Sequence, residues 1–89
     1  MGKTVKDRNY SFKHTQQRLK ERYGIDITLE DYDRLCKKVE SNRDVLLIMI
    51  EKQDGGDQYT YDINFKYRGT IRVVWNKKKQ YITTALKRR

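Results

Sequence analysis

Asp54-Gly55-Gly56-Asp57-Gln58-Tyr59-Thr60-Tyr61-Asp62-Ile63-Asn64-Phe65-Lys66-Tyr67-Arg68 is the stretch whose reading decides the fold. Its first four residues are a strong hairpin signal, because glycines supply the positive φ that tight turns demand. Beyond the turn, Tyr59, Tyr61, Ile63, Phe65 and Tyr67 alternate with Thr60, Asp62, Asn64, Lys66 and Arg68. A period of two places the aromatic side on one face and the polar side on the other, which predicts a two-faced strand. A hairpin needs a partner upstream. Val45-Leu46-Leu47-Ile48-Met49-Ile50 provides it, as a continuous apolar run that reads most simply as a strand covered on both faces, either inside the sheet or in a dimer interface, between which periodicity does not choose.

Downstream, Arg68-Gly69 turns the chain into Ile71-Arg72-Val73-Val74-Trp75. A basic loop, Asn76-Lys77-Lys78-Lys79, separates this from a last strand over Gln80–Leu86, and Lys87-Arg88-Arg89 forms a basic tail. Connections this short predict antiparallel neighbours.

Upstream the period changes to that of helices. Phe12, Thr15, Leu19 and Tyr23 fall on one stripe of a helix capped by Ser11 and ended by Gly24. Thr28, with Asp31 three residues on, predicts a capping box for a second helix. Its apolar face carries Leu29, Tyr32, Leu35, Cys36 and Val39. Residues 1–10 are polar and basic without periodicity, and read as a flexible arm before one domain over 11–89. The expected class is therefore α+β: two N-terminal helices packed on a four-stranded antiparallel β-meander.

At 89 residues the chain has room for one domain. Its net charge of +9 points to a polyanionic partner. A membrane surface fits less well, since no segment joins a basic face to a broad apolar one. A single cysteine, Cys36, excludes an internal disulfide and, with one histidine, cannot build a typical zinc site from this chain alone. The first eight residues hold no apolar run, so no signal peptide is expected, and the cytoplasm is the expected compartment. No cofactor or metal is implied by any motif.

Two constellations bear on chemistry. His14, Arg18 and Arg22 recur every four residues on the first helix. Guanidinium neighbours favour a neutral imidazole, which suits acid–base work on a ribose hydroxyl; the plainer alternative is a solvated basic helix face. In the sheet, Lys66, Arg68 and Arg72 interleave with aromatic residues, and Lys77, Lys78 and Lys79 follow in the loop. Cations among rings suit a single-stranded nucleic acid, guanidinium to phosphate and ring to base. The competing reading has the tyrosines paving the core and the cations solvated opposite.

The segment His14-Thr15-Gln16-Gln17-Arg18-Leu19-Lys20-Glu21-Arg22-Tyr23-Gly24-Ile25, then Thr28-Leu29-Glu30-Asp31-Tyr32, resembles the first helices of small prophage-associated proteins of the barnase–colicin–RelE-like ribonuclease superfamily. Ile71-Arg72-Val73-Val74-Trp75-Asn76 and Tyr81-Ile82-Thr83-Thr84-Ala85-Leu86 resemble their last two strands. The resemblance implies a phage- or toxin-type protein working in a bacterial cytoplasm. It implies metal-independent RNA cleavage, with His14, Arg18, Arg72 and a last-strand threonine as the site. Thr84, before Ala85-Leu86, fits the pattern better than Thr83. The glutamate base of some members has no match in this sheet. Three functions follow: an RNA-directed ribonuclease, a non-enzymatic nucleic-acid-binding module using Arg22, Lys66, Arg68 and Lys77–Lys79, or a protein that binds an acidic host protein.

Overall fold

A computed structural model describes the backbone of residues 2–65 and 69–87, and side chains from Arg8 onward within them. The chain runs α1 (Gly2–Tyr23), α2 (Leu29–Ser41), β1 (Val45–Glu51), β2 (Gln58–Phe65), β3 (Gly69–Asn76) and β4 (Tyr81–Leu86). The strands pair antiparallel in the order β1-β2-β3-β4, a meander. This is the expected α+β arrangement.

The start of α1 differs from expectation. Helix begins at Gly2 rather than Ser11, so residues 2–10 extend it instead of forming an irregular arm. No proline interrupts the segment, and its last turns are tied down: Arg8 pairs with Asp33 and lies over the Tyr32 ring at 5.2 Å. Ser11 is therefore no cap; with Thr15 and Leu19 it forms the buried i, i+4 stripe. The other end closes as expected, with Gly24 at φ 67 and Ile25 N–H donating back to the Leu19 carbonyl.

The capping box of α2 is present: the Thr28 hydroxyl accepts from Asp31 N–H, and the Asp31 carboxylate accepts from Thr28 N–H. Tyr32, Leu35, Cys36 and Val39 are buried, while Leu29, at the solvent-facing first helical position, is exposed. Together with Leu19, Ile25 and Ile27 they cover Ile63, Phe65, Ile71, Val73, Trp75, Ile82 and Ala85. The Tyr32 hydroxyl donates to the Ile82 carbonyl, which removes the penalty of burying it. Burial pushes the Cys36 thiol up, as suits a buried packing residue.

The largest correction concerns β1. Expected to be covered on both faces, it is an edge strand whose residues from Leu46 to Ile50 are all exposed. The physical reason is reach: α1 packs on β4 and α2 over β2 and β4, so the helix layer ends before β1.

Candidate nucleic-acid interface

The basic loop between β3 and β4 is a built structure rather than a loose connection. The Asn76 side chain accepts from Lys79 N–H at 2.9 Å and donates toward the Gly55 carbonyl at 3.4 Å. Its own carbonyl accepts from Gln80 N–H at 2.8 Å, with Gln80 in the left-handed region at φ 64. Lys77 N–H donates to the Asp57 carbonyl. The β1–β2 turn and the lysine loop are thus clasped together, and Gly56, at φ 118, is the residue that allows it: a Cβ there would lie 2.4 Å from Asn76 Oδ1.

Lys77, Lys78 and Lys79 are exposed and, among the described residues, form no ion pair. Lys77 Nζ lies 5.8 Å from the centroid of the Tyr59 ring, which stacks on Tyr61 at 6.4 Å. Tyr59 and Tyr61 are half-buried on the sheet face that carries the core, so part of each ring remains accessible. Cation and ring therefore stand side by side at this end of the sheet.

A second cationic surface, unforeseen from periodicity, is a shallow groove lined by Arg34, Lys37, Lys38, Ser41 and Arg43 at the end of α2. Lys38 is paired with Asp44 at 3.4 Å, and Arg34 is drawn loosely toward Glu30 and Asp31. Lys37 and Arg43 have no ion pair among the described residues. The signal was Lys37-Lys38 with Arg43 across a helix end; only the left-handed Asn42 cap, turning the chain back, brings Arg43 to the helical lysines.

The other expected site residues within the described structure lie on α1, β3 and β4. His14 stacks on exposed Tyr10 at 6.1 Å, and Arg18 donates to Glu21 at 2.8 Å. The Gln17 amide and the Arg18 guanidinium hold the Glu21 carboxyl below its usual range, so part of the positive charge of this stripe is locally compensated. Arg22 is exposed. Alternation along β3 sends Ile71, Val73 and Trp75 to the core and Arg72 and Val74 to the opposite face. Thr84, partner of Val74, shares that opposite face. There Arg72 makes a two-pronged pair with buried Asp62 at 2.8 and 3.2 Å, and this hydrogen bonding raises the guanidinium pKa. Among the described residues, no hydrogen bond, ion pair or ring contact joins His14 or Arg18 to Arg72 or Thr84. Lys66 and Arg68 lie outside the described residues.

No family model matches the chain, nor does any curated protein or solved structure. Among the described residues there is no cluster of three or more His, Cys, Asp or Glu side chains arranged for a metal, and no helix long and apolar enough to cross a membrane.

Proposed function

We propose that this protein binds single-stranded RNA through its phosphate backbone, using the Lys77–Lys79 loop with Tyr59 beside it as the principal contact. The observation that carries the reading is that three adjacent, exposed lysines, without ion pairs among the described residues, sit on a loop clasped by Asn76 and Gly56. Their charge is uncompensated locally, so phosphate can take the place of counterions without breaking an internal pair. The anchored backbone keeps them together before the ligand arrives, which lowers the ordering cost of binding. The ring of Tyr59 next to Lys77 supplies the flat apolar surface on which an unpaired base stacks. Single strands are favoured over duplex because the cations lie on a loop and not on a helix shaped for the major groove.

Cleavage is not part of this proposal. Binding is preferred to cleavage because, among the described residues, no hydrogen bond, ion pair or ring contact joins His14 or Arg18 to Arg72 or Thr84, and Arg72 is engaged by Asp62.

Fluorescence anisotropy with a labelled oligoribonucleotide tests the reading. Affinity should fall steeply with salt, and replacing Lys77, Lys78 and Lys79 by alanine should reduce the log–log salt slope by about 2, at roughly 0.7 per phosphate contact for single strands. An affinity indifferent to salt, or a folded triple variant that binds like wild type, would overturn it. Stoichiometric capture of one acidic protein from nuclease-treated lysate, without RNA binding, would transfer the surface to a protein partner.

A further inference from the structure

Two edges bound the sheet, and they are treated differently. Along β4 lies α1, whereas β1 is an edge strand with no strand on its outer side among the described residues. An open edge offers a row of unpaired backbone N–H and C=O groups to any incoming strand. Because the Asp44 carbonyl accepts from Asn64 N–H, alternation turns the backbone groups of Val45 and Leu47 outward, away from β2. The side chains compound the exposure: Leu46 is 63% exposed, and Leu47, Ile48, Met49 and Ile50 are each above 40%. Contiguous apolar exposure on a small domain marks a surface meant to be covered.

We propose that β1 is the seam of a homodimer, in which two copies join edge to edge through antiparallel β1 strands into one continuous sheet. Three observations select a second copy as the occupant. The strand is apolar on both faces, so its partner must be apolar on both faces, and β1 itself is the strand of this chain with that character. The ends carry complementary charge: Arg43 and Asp44 precede the strand, while Glu51, Lys52 and Asp54 close it. Antiparallel pairing about the middle of β1 sets Arg43 of one copy near Glu51 and Asp54 of the other, and Asp44, held in its own chain by Lys38, near Lys52, held in its own by Asp57, twice over by symmetry. A parallel arrangement would instead face Asp44 with Asp44. Finally, the register slips between Leu47 and Met49, and Ile48, without a Cα partner in β2, is 42% exposed midway along the strand, where a second copy would cover it.

Sedimentation equilibrium on the full chain, from about 1 to 300 μM to span weak and moderate affinities, tests the proposal. Wild type should pass reversibly from 10.8 kDa toward twice that mass. Ile48→Lys should abolish dimerisation. Asp44→Lys or Lys52→Asp alone should each weaken it about fivefold, and the double reversal should restore it to within about twofold. Circular dichroism melts confirm that each variant is folded. A wild type monomeric throughout the range, or a dimer that tolerates Ile48→Lys while the double reversal restores nothing, overturns the proposal. RNA binding is read separately, so failure of one reading leaves the other standing or falling on its own result.

Discussion

Tyr23 shows how much one side chain can settle. Its hydroxyl donates to the Leu86 carbonyl and accepts from Arg72 N–H at 3.1 Å. Arg72 and Leu86 are register partners at the end of the β3–β4 ladder, so the phenol bridges the two backbone groups across it. Tyr23→Phe removes that bridge and leaves both groups partly buried and unpaired. The expected cost is about 1–3 kcal/mol, read as a lower urea midpoint at unchanged slope. Nothing in the sequence announces this role. The stripe Phe12, Thr15, Leu19, Tyr23 places Tyr23 toward the core, but which backbone groups meet its hydroxyl depends on where β4 ends. Asn76 is similar: a single amide beside three lysines looks like loop filler until Gly55 and Gly56 are brought against it.

Elements were legible in proportion to how local their determinants are. Thr28 with Asp31, Gly24 after Tyr23, and the alternation from Tyr59 to Phe65 each act within a few residues, and each does what its chemistry requires. The burial of β1 depends on how far two helices reach across a sheet, and an unbroken apolar run reads the same whether covered or bare. Periodicity likewise sets His14 and Arg18 on one helix stripe and Arg72 and Thr84 on strands, but it fixes a face within an element and not which layer that face meets. The β1–β2 turn lends itself to a direct check. Gly56→Ala forces a strained φ and a clash with Asn76, and should cost about 2–4 kcal/mol in thermal or chemical denaturation. The same variant should loosen the lysine loop, visible as faster amide exchange at Lys79, whose N–H is held by Asn76. Unchanged stability and exchange would mean that the clasp does not hold the loop.

For the whole molecule, the net charge of +9 is an unbalanced field that the fold itself must bear. At low ionic strength the excess cations repel one another, and at physiological salt the screening length shrinks to about 8 Å. Moving from low to physiological salt should therefore raise the melting temperature by a few degrees, on the order of 4–8 °C per kcal/mol for a domain this small. A melting temperature that falls with salt would show that the surface ion pairs outweigh the repulsion. The packing of α1 on β4 adds a constraint of another kind. The first element of the chain rests on the last, and Tyr23 reaches a carbonyl 63 residues away. During synthesis on a ribosome the main packing surface for the stripe of Thr15 and Leu19 is missing until the final strand emerges. A polypeptide released early, or stalled before Tyr81, would lack its α1–β4 interface, and its cationic surface would be presented by an unfinished molecule.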